Sequence, residues 1–327
     1  MNSLQEIAKA DFRKLLSKGE KTRIHLVINS GNRTSTVFLL QENASWPFGV
    51  LRISHRTEHI EKEFNILRTI TQYENKYLLR TVPYPYNLHS FGRLRIASFS
   101  YLKGDYMIPS IKRRSCVKGH FQKTREWLAG LAGIPIPDFL LGENIYREFS
   151  LRCDYVLKNI NHPSFELIDL LEQIKSVEKM LKQKNTPLMI SHTDLHWNNI
   201  ILIENQIGVL DWETVGAWWP LMGWLYFIFT YLERLFSSED RSPELKCRML
   251  AGVFFKKSWL SQFILSETLK LMEDLSLDKD LIYEFYLLGI FNYLYCKFWY
   301  DFSVFNNAAF LFEKKHNIFY LSPKGLF

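Results

Sequence analysis

Between Ser191 and Glu213 the chain reads SHTDLHWNNIILIENQIGVLDWE. Asp194 and Asn199 are separated by four residues on a polar loop. Ile200–Ile203 and Ile207–Leu210 read as two short strands joined by the turn Glu204-Asn205-Gln206, and this hairpin returns Asp211 to the side of the loop. Two carboxylates and an amide at one mouth are what phosphoryl transfer needs. One carboxylate orients or accepts the proton of an attacking hydroxyl, and hard oxygens hold Mg²⁺ on the phosphates. D-x-x-x-x-N followed by a second Asp also has the spacing of a kinase catalytic loop and its metal-binding Asp. By role, Asp194 is the base, and Asn199 and Asp211 are the Mg²⁺ ligands. Asp and Asn are common turn formers, and each alone would read as structural; the combination carries the assignment. His192, Asp194 and His196 would share a face of an extended strand, as in a transition-metal site, but that leaves Asn199 and the D-W-E segment without a role. His192 reads as a loop-packing residue, and His196 as either a substrate contact or a loop contact.

H-x-D-L-H-x-x-N followed by D-W-E resembles the signature of the aminoglycoside phosphotransferase and choline kinase-like superfamily of small-molecule kinases. The resemblance implies an α+β, bilobed protein-kinase-like fold, with a small antiparallel β-sheet N-lobe and a mainly helical C-lobe. It implies a phosphotransferase that uses ATP and Mg²⁺ to phosphorylate a hydroxyl of a small molecule: an aminoglycoside, an amino alcohol or a sugar-like compound. It also implies further site residues. Arg52, in GVLRI, occupies the strand position where the family usually has Lys. Glu63, in EFNIL, matches the helix Glu that pairs with that cation. Ser30 opens the nucleotide loop, Ser30–Ser35. Ile96–Leu102 followed by Gly104 matches the strand and hinge that hold adenine, with Phe99 and Tyr101 at the base. Trp127-Leu128 falls where the first C-lobe helix begins, and Trp218 and Trp219 flank the loop as candidate pocket residues. The chain departs from the family pattern at Arg52, in a nucleotide loop with one glycine, and at Gly223, where relatives often carry an Asp that braces the catalytic loop. These departures define the alternative reading, a weakened kinase-like nucleotide-binding or scaffold protein.

The elements that must position these residues follow from periodicity. Ile24–Ile28, Thr36–Leu40 and Gly49–Ile53 read as strands, with Ile24, Leu26 and Ile28 on one face. Glu58–Ile70 places Ile60, Phe64, Leu67 and Ile70 at helical spacing. Thr124–Ala132 and Ser164–Lys184 read as helices, the latter capped by Ser164. Leu221–Phe229 and Leu287–Trp299 read as buried apolar helices. The expected division is residues 1–104, with a hinge near 99–104, and residues 105–327, which carry the catalytic loop 191–213.

At 327 residues the chain suits two domains or one bilobed unit. With 47% hydrophobic and 23% charged residues it has enough apolar material to fold, which excludes wholesale disorder. The formal charge of +7 fits anionic ligands such as phosphates. Cys116, Cys153, Cys247 and Cys296 form no CxxC pair, so a reducing cytoplasm is the simplest compartment. Neither apolar window reaches the ~20 residues of a membrane span, which leaves a peripheral membrane contact as the remaining membrane option. The basic run Lys112-Arg113-Arg114 is too short to indicate nucleic acid. The expected partner is a small-molecule hydroxyl acceptor.

Overall fold

The computed structural model describes residues 2–13, 24–30, 34–41, 44–73, 75, 78, 80–109, 113–142, 145–236, 253 and 258–297. The chain divides into two compact units. The first comprises Met1–Tyr106 together with Asn199–Val215; the second comprises Met107–Asn198 and Gly216–Phe327. The sequence reading assigned all of 191–213 to the helical part, whereas the hairpin half of that segment packs with the sheet.

The first unit is built on an antiparallel sheet of five strands: β1 (Ile24–Ser30), β2 (Thr34–Gln41), β3 (Gly49–Ser54), β4 (Pro85–Phe91) and β5 (Leu94–Ser100), in the order β1-β2-β3-β5-β4. Alternation sends Leu51 and Ile53 to one face and Val50 and Arg52 to the other. The first face meets α1 (Asn2–Asp11), a helix the sequence reading did not anticipate. Its Ile7 and Ala8, with Phe12 just beyond it, form a core with Val37, Leu39, Leu51 and Ile96. Helix α2 (Thr57–Gln72) buries Ile60, Phe64, Ile66, Leu67 and Ile70. Sixteen residues are marginal as an isolated helix. Burial of each large side chain contributes roughly 1.5–3 kcal/mol, so packing holds this helix in place. β1 lies at the sheet edge, and there the expected inward alternation fails: Val27 and Ile28 are both exposed, at 54% and 56%. A second small sheet joins β6 (Asp105–Tyr106) to the hairpin β8 (Ile200–Ile203) and β9 (Gln206–Val209). Gly104 passes so close to this hairpin that a Cβ would lie 2.5 Å from the Leu202 carbonyl oxygen, so only glycine fits.

The second unit contains α3 (Arg114–Ala132), α4 (Glu148–Asn159), α5 (Phe165–Gln183), α6 (Met222–Phe236), α7 (Trp259–Asp274) and α8 (Ile282–Lys297), with the strands β7 (Met189–His192) and β10 (Val215–Trp218) paired. Ser164 caps α5 by accepting from the Leu167 N–H at 3.2 Å. From inside α5 the buried Glu178 accepts from the N–H groups of Phe149 and Ser150, 2.9 Å each, and so caps the start of α4. The aromatic richness of the sequence is spent in this core, where Phe121 meets Trp224, Phe227 and Tyr231 at centroid distances of 5.7, 5.2 and 5.1 Å. No helix among the described residues is long and apolar enough to cross a membrane. Trp299, at the end of the second apolar window, and Lys112, in the basic run, lie outside the described residues.

Candidate active site

In the first unit, the sheet face opposite α1 forms one wall of a cleft of about 310 Å³. Thr36, Phe38, Val50, Arg52 and Phe99 line it from the strands, Tyr101, Leu102 and Gly104 from the segment after β5, and Asp211 from the hairpin. These strand residues share a face because they are cross-strand partners: Thr36 opposes Arg52, Phe38 opposes Val50, and Val50 opposes Phe99.

Arg52 is the electrostatic centre of this wall. Its Nη1 donates to Glu63 Oε1 at 2.6 Å and to Asp211 Oδ1 at 3.0 Å, and its Nη2 lies 3.7 Å from Glu213 Oε2. Burial alone would lower the Arg52 pKa, but Glu63, Asp211 and Glu213 outweigh it and hold the guanidinium above its ordinary value. Glu63 is 3% exposed. Burial pushes its carboxyl up to about 7, against the opposing pull of Arg52 and of the Trp212 N–H. Pairing with Arg52, which the resemblance implied for Glu63, is therefore present, and arginine's fork extends it to two further carboxylates. Glu213 had no assigned role in the sequence reading; its place as the third residue of D-W-E was the available signal.

The hairpin fixes Asp211 and Asn199 together. Ile200 pairs with Val209, and the Leu210 N–H donates to the Asn199 carbonyl at 2.8 Å. Trp212 is buried, and its indole N–H donates to the Val209 carbonyl at 2.9 Å, pinning the turn from below. Asp211 itself takes the left-handed conformation, φ 58°, which Asp tolerates better than most residues. Three carboxylates around one guanidinium leave net negative charge at the cleft, which suits a divalent cation. Asp211 and Asn199 supply hard oxygen donors of the type Mg²⁺ takes, and Mg²⁺ usually needs only one or two carboxylates alongside substrate phosphates. Among the described residues no cluster of three His, Cys, Asp or Glu side chains could hold a metal by itself, which leaves the His192–Asp194–His196 metal site without a place.

Of the remaining residues assigned to nucleotide binding, Phe99 is buried on the cleft wall and Tyr101 lines the cleft beside it. Ser30 ends β1, in register with Ser35, and positions 31–33 of the nucleotide loop lie outside the described residues.

Asp194 belongs to the second unit, on the turn after β7. His196 donates its backbone N–H to the Asp194 carbonyl at 2.9 Å, its ring accepts from the Asn198 N–H at 3.2 Å, and its Nε2 lies 3.7 Å from Asp194 Oδ2. The His196 ring thus serves the loop. The Tyr226 hydroxyl, on α6, donates to the Asp194 carboxylate; burial and then this carboxylate raise the phenol well above its ordinary range. Nothing in the local sequence marks Tyr226 as a partner, since it lies 32 positions downstream. His192 is fully buried, as a loop-packing residue should be. At Gly223 the expected bracing carboxylate is replaced from the other side: Ser191 Oγ accepts from the Gly223 N–H at 3.0 Å and fills the space a side chain would need. Trp218 and Trp219 part company. Trp219 is 1% exposed and packs against Tyr146, so it is a core residue with no surface to offer a substrate. Trp218 is partly exposed and stacks on Arg152, its ring centroid 4.7 Å from the guanidinium carbon.

Comparison with known proteins bears on the fold and the family. No curated protein matches the sequence significantly. Among solved structures the fold is similar to a choline kinase from Cryptosporidium parvum Iowa II, at TM-score 0.56 and 14% identity over 95% of this chain and 93% of that one. It is similar also to a ternary complex of the aminoglycoside phosphotransferase APH(4)-Ia with ADP and hygromycin B, at 0.52 and 12% over 94% and 98%. A third similar structure is the aminoglycoside phosphotransferase APH(3'')-Id from Streptomyces rimosus with ADP and streptomycin, at 0.51 and 13% over 89% and 97%. The family model described as the phosphotransferase enzyme family matches residues 25–223, well over half of the chain. With a protein-kinase-like fold and this match, the chain is a phosphotransferase and belongs to the phosphotransferase enzyme family.

Proposed function

We propose that this phosphotransferase uses ATP with Mg²⁺ and transfers the γ-phosphoryl group to a hydroxyl of a small molecule. The observation that carries the reading is the Arg52–Glu63–Asp211 cluster on the wall of the 310 Å³ cleft. A fixed cation, a buried carboxylate that aims it and an acidic metal ligand are the groups a nucleotide triphosphate requires. The adenine would lie against the Phe99–Leu102 backbone. There the Ser100 N–H already donates to Tyr84 at 2.8 Å, whereas among the described residues Tyr101 and Leu102 make no backbone hydrogen bond. Asn199 and Asp211 would hold Mg²⁺, which neutralises charge on the phosphates as it develops. Asp194, held by Tyr226, orients the acceptor hydroxyl and takes its proton. The new bond forms between that hydroxyl oxygen and the γ-phosphorus, while the bond to the bridging oxygen breaks with its electron pair and ADP leaves.

The test is ADP release across amino alcohols, sugars and aminoglycosides, with Asp194→Asn as control. The variant should bind Mg-ATP as the parent does and lose roughly 10²–10⁴-fold in turnover, the usual contribution of a positioned base. Equal turnover would remove Asp194 from the mechanism. A second reading is favoured by the engagement of Arg52 with Asp211: a nucleotide-binding protein with weakened catalysis. Mg-ATP binding without turnover on any acceptor would select it.

A further inference from the structure

The second unit holds a fixed cation that shares a neighbour, the Cys296 thiol, with Asp194. Arg152, on α4, lies over two aromatic rings, with its guanidinium carbon 4.7 Å from the Trp218 centroid and 4.7 Å from the Tyr295 centroid. Its Nε donates to Glu148 at 2.9 Å, one turn away on the same helix, and its Nη1 donates to Asn292 Oδ1 on α8 at 2.6 Å. The side chain is only 14% exposed, so packing sets its position. The link to Asp194 runs through Cys296, one turn beyond Asn292. Its sulfur lies 3.8 Å from Asn292 Oδ1, and its thiol feels both the Asp194 carboxylate and the Arg152 guanidinium, which donates to it. Tyr226, which donates to Asp194, feels the same thiol.

Two aromatic rings that both present a face to one cation would ordinarily make a box for an ammonium group. Here the box is filled by the protein's own arginine. A cationic acceptor would meet a like charge that cannot move aside without breaking three hydrogen bonds and two ring contacts. Arginine's planar fork has five N–H donors and favours carboxylate and phosphate oxygens. Glu148, Asn292 and the Cys296 thiol take three of these N–H groups, which leaves two.

We propose that Arg152 is a specificity residue and that the acceptor carries an anionic oxygen group, a carboxylate or a phosphate, near the hydroxyl that is phosphorylated. The inference rests on the reading of Asp194 as the base of an ATP-dependent transfer. It separates this chain from the ammonium-bearing acceptors that the two-ring geometry alone would suggest.

The test uses the full chain and a matched series of probes: a neutral hexose, its amino sugar, its uronic acid and its 6-phosphate. ADP release gives KM and kcat, and calorimetry in the presence of Mg-ADP gives binding independently of turnover. The uronic acid and the phosphate distinguish the two sources of the anionic group. At least one of them should exceed the neutral and amino sugars by 10-fold or more in kcat/KM or in affinity. Arg152→Met keeps apolar volume between the rings and should raise KM for the anionic probe by about 10–100-fold, the span of one lost charge-assisted contact. Its kcat should change far less, and Arg152→Lys should recover part of the loss. Preference for the amino or neutral sugar, or an equal KM in Arg152→Met, overturns the proposal. So does the absence of both turnover and binding with every probe while Mg-ATP still raises the melting temperature. If Mg-ATP itself leaves melting unchanged, the ATP-dependent reading has failed and the inference falls with it.

Discussion

Installing the family's bracing carboxylate at Gly223 should weaken this protein rather than improve it. A Cβ built at Gly223 lies 2.9 Å from Ser191 Oγ and 3.0 Å from the His192 carbonyl oxygen. The hydroxyl could rotate away, but only by giving up the bond in which it accepts from the Gly223 N–H at 3.0 Å. The carbonyl belongs to β7 and cannot move without shifting the strand that leads to Asp194. Overpacking of this kind costs about 1–3 kcal/mol, and loss of the buried Ser191 bond about 1 kcal/mol more. Against that, replacing glycine within α6 returns at most about 1 kcal/mol of helix propensity. Gly223→Ala should therefore lose about 1–3 kcal/mol. Gly223→Asp should lose more, because it also buries a carboxylate. Denaturant unfolding and thermal melts measure both variants. A melting temperature of Gly223→Ala at or above the parent's would refute the close-packing argument. The double variant Ser191→Ala/Gly223→Ala sharpens it. Removing the hydroxyl relieves one of the two clashes, so the pair should be less damaging than the sum of the singles by at least about 0.5 kcal/mol.

Two further outcomes follow from groups already described. Arg52→Ala should weaken ATP affinity while Arg52→Lys retains part of it, because the phosphates need a cation but lysine cannot reproduce the fork that spans Glu63 and Asp211; calorimetry checks this, and unchanged affinity in Arg52→Ala would make the residue purely structural. His120 is buried against Tyr231, its Nδ1 2.8 Å from the hydroxyl, and burial, with Lys123, lowers its pKa to about 4. Between pH 6.5 and about 4 the unfolded chain binds a proton here that the folded chain does not, so stability should fall as pH falls through that window. At about 1.36 kcal/mol per unit the loss reaches up to about 3 kcal/mol; His120→Gln should flatten this acid limb in denaturation curves taken across that range, and an unchanged limb would show that other groups produce it.

How far the sequence reveals this protein depends on the range of the interaction. The hairpin was legible because its turn residues and apolar runs are local; the structure forms the first strand as read and the second one residue earlier, at Gln206–Val209. Arg52 and Glu63 were legible because a motif placed them and because Glu63 falls among the apolar positions of α2. The long-range links were not. Arg52 meets Asp211 across 159 positions and Arg152 meets Asn292 across 140, and no periodicity brings such residues together. Helix α1 escaped notice because its apolar stripe is short and interrupted by charge. β4 escaped because it is an edge strand with little buried surface, entered through Pro85 and turned by Gly92 at φ 58°. The same edge effect exposes Ile28 on β1, where alternation pointed inward. Trp219 looked like a pocket residue because it adjoins the loop in sequence, yet β10 ends at Trp218 and the next ring turns into the core.

The most direct measurement is a calorimetric titration of ATP into the parent and into Asp211→Ala, with and without Mg²⁺. On the proposed reading, Asp211 holds the metal through which the charge of the triphosphate is neutralised. The parent should bind Mg-ATP more tightly than metal-free ATP, and saturation at 100 times the dissociation constant should add about 2.7 kcal/mol to its stability. Asp211→Ala should lose the Mg²⁺-dependent gain while remaining folded. An equal Mg²⁺-dependent gain in parent and variant, or no binding of Mg-ATP to the parent at all, would contradict the assignment of this cleft as the site of an ATP-dependent phosphotransferase.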